Sequence, residues 1–184
     1  MKLNEEQIEW LNKCTKGTWS LNSETGLVDV NGEFNCREQK LKDFKGVRFG
    51  VITEGFNCYN NSLTTLEGAP QEVGGNFFCN RNSLTTLEGA PQKVGGHFAC
   101  DNNSLTKLEG APQEVGECFL SGGNPIPHNI LIGIWSIMKN KKVPYIIALG
   151  IYKKEVKEAI DPRLTEGISE ETLKGASLLG RILS

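Results

Sequence analysis

The sequence has no surplus of positive charge, no long apolar run, and no cysteine pattern of the kind that staples small secreted domains. Lys and Arg number 20 against 22 Asp and Glu, a formal net charge of −2, so no broad field attracts a polyphosphate backbone. No apolar run approaches the ~20 residues needed to cross a bilayer. The longest, Ile130 to Met138, is too short. The opening Met1-Lys2-Leu3-Asn4-Glu5-Glu6 is acidic and lacks the apolar core of a secretory signal. Hydrophobic residues make up 38% and charged residues 23%, a balance that suits a water-soluble chain with a core to bury. These features predict a cytoplasmic protein whose partner is neither nucleic acid nor membrane.

Six cysteines in 184 residues raise the question of disulfides or a metal. Cys36, Cys58, Cys79 and Cys100 recur once per repeat, and Cys58, Cys79 and Cys100 are spaced by 21 residues. Parallel neighbours about 4.8 Å apart in a row do not surround an ion. Such thiols read as small buried hydrophobes in a reducing compartment, with no metal and no cofactor.

The repeat is nearly verbatim. Residues 55–75 read GFNCYNNSLTTLEGAPQEVGG, residues 76–96 NFFCNRNSLTTLEGAPQKVGG, and residues 97–117 HFACDNNSLTKLEGAPQEVGE. A diverged copy, EFNCREQKLKDFKGVRFGVITE, occupies residues 33–54, and Phe119, Ser121 and Asn124 begin a truncated one. Within a unit Phe77 and Cys79 alternate, so both face one side of a short strand. Leu84 and Leu87 follow, then Pro91 and Val94 on the return path. One such coil buries too little to fold alone, and stacking seals each core against the next. Asn61, Asn82, Asn103 and Asn124 stand where the strand bends away, and their amides are predicted to form a hydrogen-bonded ladder. Gly74-Gly75 and Gly95-Gly96 permit tight or positive-φ backbone at strand re-entry. No Lys-Ser/Thr follows them, so they do not form a phosphate loop.

The frame V-G-G-x-F-x-C-x-x-N-x-L-T-x-L-E-G-A-P resembles the bacterial leucine-rich-repeat pattern, with Phe and Cys at positions usually held by Leu. It is similar more narrowly to leucine-rich-repeat proteins of bacteriophages and related bacterial genomes. They share the entry segments Gly26-Leu27-Val28-Asp29-Val30-Asn31-Gly32 and Asp43-Phe44-Lys45-Gly46-Val47-Arg48-Phe49, and the match covers roughly Trp19 to Pro125. The resemblance implies a right-handed solenoid with a parallel β-sheet on its concave face and an extended, turn-rich convex face. It also implies a phage-derived protein whose target is a host factor such as a defence component.

Three regions follow: residues 1–32 as an N-terminal helix and hairpin cap, 33–125 as the solenoid, and 126–184 as a C-terminal three-helix segment. Glu5 to Cys14 suits a short amphipathic helix with Ile8, Leu11 and Trp10. Trp19-Ser20-Leu21 and Leu27-Val28-Asp29-Val30 flank a turn. Asn129 to Lys139 carries the stripe Ile130, Leu131, Ile134, Trp135 and Met138. Pro144 opens a second helix running to about Ile160 with Ile147, Ile151 and Tyr152 inward, and Asp161-Pro162 ends it. Ser169 caps a third, with Leu173, Ala176, Leu179 and Ile182 inward. These helices are a cap, or else an oligomerisation or effector module.

The positions beside the inward Phe and Cys form three columns on the concave face. Glu33, Gly55, Asn76, His97 and Cys118 make the first. Asn35, Asn57, Phe78, Ala99 and Leu120 make the second, and Arg37, Tyr59, Asn80, Asp101 and Gly122 the third. They vary while the frame does not, and exposed aromatic groups on a rigid sheet suit recognition. The predicted contact set is Asn57, Tyr59, Asn76, Phe78, Asn80, His97, Asp101 and Leu120. His97 and Cys118 share a column, but no motif places a carboxylate to orient the imidazole, so no catalytic residue is assigned. His128 is expected at the surface or at a helix start. The expected function is non-catalytic binding of a protein partner. The alternatives are an oligomeric small-ligand-sequestering protein with its pocket between C-terminal helices, or a repeat-bearing effector enzyme resembling secreted bacterial ubiquitin ligases. The segment after Pro125 lacks the cysteine such enzymes use.

Overall fold

The computed structural model describes residues 2–126, 128–143, 145–156, 165 and 167–182. Its elements run α1 (Glu5–Cys14), β1 (Thr15–Leu21), β2 (Val28–Asn35), β3 (Phe49–Ile52), β4 (Phe56–Asn57), β5 (Glu72–Val73), β6 (Phe77–Phe78), β7 (Lys93–Val94), β8 (Phe98–Ala99), β9 (Glu114–Val115), β10 (Phe119–Leu120), α2 (His128–Lys141), α3 (Tyr145–Val156) and α4 (Glu170–Ile182). The strands make a parallel β-solenoid of about four turns, with β1 alone antiparallel.

Two ladders grow from β2. Its first half pairs with β3, and its last two residues pair with β4. From there β4, β6, β8 and β10 form a phenylalanine ladder, and β3, β5, β7 and β9 a second ladder carrying valine. The return path, expected to be extended and turn-rich, contributes its own hydrogen-bonded strand, at Glu72–Val73, Lys93–Val94 and Glu114–Val115. Two-residue strands are too short to display a period in sequence.

Glycine pairs turn the chain from one ladder to the other. A Cβ on Gly95 would lie 2.0 Å from the Gly74 carbonyl oxygen, and one on Gly116 would lie 1.9 Å from that of Gly95. Here coils touch backbone to backbone. Of the two expectations for this corner, tight or positive-φ backbone, the tight one holds, and positive φ falls in the Gly-Ala-Pro turns, at Gly68 (86°), Gly89 (85°) and Gly110 (80°).

The core repeats with the chain. Phe34, Phe56, Phe77, Phe98 and Phe119 stack with centroids 5.4, 5.5, 5.4 and 5.3 Å apart. Trp10 meets Phe34 edge-on at 5.2 Å, and Trp135 stacks on Phe119 at 4.9 Å. Leu63, Leu84 and Leu105 are fully buried, as are Leu66, Leu87 and Leu108. Cys36, Cys58, Cys79 and Cys100 are buried free thiols, and Ser121 continues their row. The asparagine ladder forms as expected. Asn82 Nδ2 donates to the carbonyls of Cys58 (3.1 Å) and Cys79 (3.0 Å), and its Oδ1 accepts from Leu63 N at 2.9 Å. Asn103 and Asn124 repeat the pattern one and two coils on. Loss of one such amide would leave buried backbone groups unpaired, at about 1–3 kcal/mol each.

The first coil differs by one residue. Cys36 precedes Cys58 by 22 residues, and the extra one is absorbed as a bulge, since Val28 pairs with Phe49 but Val30 pairs with Ile52. The Val51 amide at the bulge donates to Asp29 Oδ1 at 2.7 Å.

Helix α1 matches its expected span, with a capping box between Asn4 and Gln7. Its buried face is Trp10, Leu11 and Cys14, whereas Ile8, expected inward, is 37% exposed. Trp10 Nε1 donates to Gln39 Oε1 at 2.9 Å and Lys45 pairs with Glu6 at 2.7 Å, tying the helix to the first coil. The hairpin is β1 with β2. In α2, Leu131, Ile134, Trp135 and Met138 are buried. Tyr152 of α3 packs over Gly133, where an added Cβ would meet its ring at 2.5 Å. Ser169 Oγ accepts from Thr172 N at 3.1 Å and caps α4, which buries Leu173 and Ala176. The expectations for Pro144, residues 157–162 and the side chains of His128, Leu179 and Ile182 lie outside the described residues.

Two outcomes test this packing. Gly95→Ala should cost about 1–3 kcal/mol by overpacking. Gly55→Ala, whose Cβ would find its nearest atom at 3.5 Å, should stay within about 0.5 kcal/mol. Thermal melts followed by circular dichroism compare them, and equal losses would contradict the close approach of coil backbones. Burial also pushes the thiols of Cys36, Cys58 and Cys79 well above the ordinary 9.0, and raises that of Cys100. The folded thiols thus hold protons that an unfolded chain releases above about pH 9, so stability should be level below that pH and fall above it. Urea melts across pH 7–10.5 measure the slope, which Cys79→Ala should reduce.

Candidate functional site

The register of the phenylalanine ladder sets the outward side chains beside one another. Asn35, Asn57, Phe78, Ala99 and Leu120 are successive partners across β2, β4, β6, β8 and β10. Backbone bonds from Phe34 to Gly55, Phe56 to Asn76, Phe77 to His97 and Phe98 to Cys118 align the first column. Bonds from Glu38 to Tyr59, Asn60 to Asn80 and Arg81 to Asp101 align the third.

The eight predicted contact residues divide. Asn57, Asn76 and Phe78 converge with Glu33, Gly55, Phe56 and Gly75 around a depression of 280 Å³. Its floor is open because Gly55 and Gly75 carry no side chains, while Phe78 is half-buried at one wall. Asn57 Oδ1 accepts from Tyr59 N at 3.0 Å, and Asn76 Oδ1 from His97 N at 2.8 Å, which fixes both amides. The other five lie apart from this depression. Tyr59 has the Arg81 guanidinium 5.8 Å from its ring centroid, a cation–π contact that covers one face. Asp101 Oδ2 accepts from Asn102 Nδ2 (2.9 Å) and weakly from Asn80 Nδ2 (3.4 Å). Leu120, in the last coil, is 44% exposed, whereas its column neighbour Ala99, expected on the surface, is buried.

The structure places a carboxylate beside His97 that no motif announced. Glu117 Oε2 lies 2.7 Å from His97 Nε2, and His97 Nδ1 accepts the Cys118 backbone amide at 3.2 Å. An accepting Nδ1 leaves the ring hydrogen on Nε2, pointed at Glu117. Both nitrogens are thereby engaged, and neither is directed at the Cys118 thiol as a base would be. Cys118 is the exposed thiol of the six. Among the described residues no group of three or more His, Cys, Asp or Glu is placed to hold a metal ion.

Larger concavities elsewhere were not legible in the sequence either. A groove of 770 Å³ follows the Gly-Ala-Pro turns, with Arg48, Glu67, Glu72 and Glu88 along it beside Leu27, Ala69, Pro70 and Ala90. A cavity of 570 Å³ lies between the valine ladder and the end of α2, against Val94, Val115, Met138 and Val143. There Lys139 Nζ donates to the Val115 carbonyl at 3.0 Å and stands 5.1 Å above the Trp135 ring. Among the described residues no helix is long and apolar enough to cross a membrane.

The molecule belongs to the class of parallel β-solenoids with a helical segment after the coils. Comparison with protein-family models, with curated proteins and with solved structures finds no match to the chain.

The burial pattern predicts selective thiol chemistry. An aromatic disulfide reagent should label one thiol per folded chain quickly, at Cys118, and the other five only at the rate of unfolding. Cys118→Ser should abolish the fast phase. Fast labelling of a second thiol would contradict the buried cysteine row.

Proposed function

We propose that this chain is a non-catalytic binding protein of the leucine-rich-repeat type, phage-derived, acting in the bacterial cytoplasm on a protein partner such as a host defence factor. In this reading the solenoid is right-handed and the phenylalanine ladder lines its concave side. Helix α1 with the β1–β2 hairpin, and the helices after Pro125, cap the two ends. The observation that carries it is the contrast between frame and face. Core positions repeat coil after coil, while the outward positions differ at nearly every coil and gather an aromatic ring and two fixed amides around one depression. Rigid, partly exposed aromatic groups in a small concavity are where binding energy concentrates.

A second reading, an oligomer that sequesters a small ligand, finds support in α2. Ile130, Ile132 and Ile137 there remain partly exposed while Leu131, Ile134 and Trp135 are buried. Light scattering that gives a monomer of 20.2 kDa would remove that reading.

Affinity capture from bacterial cells, with mass spectrometry of the retained protein, tests the first. Removing two hot-spot side chains costs about 2 kcal/mol or more apiece, roughly 30-fold in affinity for each. The double variant Tyr59→Ala/Phe78→Ala, folded by circular dichroism, should therefore lose the partner. Undiminished capture would overturn the site.

A further inference from the structure

We propose that the depression at Gly55 is a receptor for an arginine side chain of the partner protein. This deepens the binding role just proposed and rests on it.

Neighbouring coils stand about 4.8 Å apart along a parallel ladder. In the first column Glu33, Gly55 and Asn76 follow one another, so the missing side chain at Gly55 leaves a slot roughly two strand spacings wide between a carboxylate and an amide. Phe78 and Asn57 form the side of that slot. The slot is not required by the backbone. A Cβ at Gly55 would meet only the Asn76 carbonyl oxygen at 3.5 Å and Glu33 Cγ at 3.8 Å, ordinary contacts, in contrast to a Cβ at Gly95, which would meet the Gly74 carbonyl oxygen at 2.0 Å. Glycine here leaves space without being needed for folding.

The chemistry around the slot selects its occupant. Glu33 is half-buried, and among the described residues its side chain receives a single hydrogen bond, a long 3.4 Å contact from Asn35 Nδ2. Lys16 lies opposite Glu33 in the β1–β2 register but forms no ion pair with it among the described residues. The Glu33 carboxylate thus retains acceptor capacity toward the slot. The side-chain oxygens of Asn57 and Asn76 each hold a backbone N–H, that of Asn76 on the next coil at His97, which fixes both amides in place. A carboxylate on one side, a phenyl ring on the other and no cationic side chain among the lining residues favour a flat cation. A guanidinium is complementary to that lining. It is planar, carries five N–H donors, pairs with a carboxylate and stacks on an aromatic face. An ammonium satisfies the carboxylate but cannot lie flat against the ring.

The probe is N-acetyl-arginine-N-methylamide, titrated into the 15N-labelled full chain and followed by two-dimensional NMR. The neutral citrulline analogue, of the same shape, is the control. The arginine probe should shift the backbone amides of Gly55, Gly75, Asn76 and Phe78 saturably, and citrulline should leave them in place. Glu33→Gln should weaken the probe at least tenfold, and Gly55→Val, which fills the slot, should abolish binding while amides in distant coils keep their positions. Unmoved amides, equal response to citrulline, stronger response to the lysine analogue, or full binding by Glu33→Gln would each overturn the arginine slot. The outcome is separable from that of the binding face itself. Partner capture lost in Tyr59→Ala/Phe78→Ala but intact in Glu33→Gln keeps the face and removes the arginine. Capture intact in all variants removes the face.

Discussion

The structure depends on placing each ring over the same ring of the next coil. From Trp10 through five phenylalanines to Trp135 the aromatic column is unbroken, and planes within the phenylalanine run deviate by 4–19°. Such a column tolerates little error in coil length. A side chain displaced by one position along a strand points to the opposite face, so an extra residue would turn a phenylalanine into water and a surface residue into the core. The chain satisfies this constraint by repeating itself at 21 residues, and where it departs, in the first coil, the surplus residue is spent in the β3 bulge before the phenylalanine ladder is reached. Asp29 receives the amide that the bulge releases, so the irregularity leaves no orphan donor.

A second row enforces the same register by polar means. The ladder asparagines bond the carbonyls of the cysteine (Ser121 for Asn124) in their own coil and of the cysteine one coil earlier, as Asn82 does with Cys79 and Cys58. A buried amide satisfied in this way fits one alignment only, because any shift strands two acceptors and a donor without water. The apolar column supplies attraction and the amide row supplies direction. Small, unionised thiols fill the remaining width, and burial keeps them protonated. With inside positions committed to stacking, variation is confined to the outward columns, which is why the candidate site lies there.

Much of this was legible in the chain because a repeat aligns itself. The span of α1, the hairpin, the asparagine ladder and the buried cysteines follow from residue type and spacing. What stayed hidden depends on contacts between coils or on side chains that are absent. The valine ladder escaped because two residues make no period. The Glu117 partner of His97 escaped because the two residues are neighbours only through coil register. Ile8, named in the sequence together with Leu11 and Trp10, lies off the buried face because Trp10 meets the Phe34 ring and so fixes which side of the ten-residue helix turns inward. The depression escaped for a simpler reason. It is made by Gly55 and Gly75, and a list of candidate contacts names side chains, not the lack of them.

The two ends of the column face different physical problems. At the start, Trp10 presents its edge to Phe34, at 78° between planes, and its indole nitrogen is satisfied by Gln39. A helix and an antiparallel strand cover that coil together. At the other end Trp135 continues the stack nearly parallel, at 20°, as though it were one more phenylalanine. The valine ladder has no such successor. Among the described residues its last strand, β9, has no strand beyond it, and the group that meets its edge is a lysine ammonium, bonded to the Val115 carbonyl. A charge at an open sheet edge opposes pairing with another chain. If the helices after Pro125 act as a cap, as proposed, they close the aromatic column by imitation and the valine ladder by charge. That division follows from what each ladder exposes: a ring face at one, backbone carbonyls at the other.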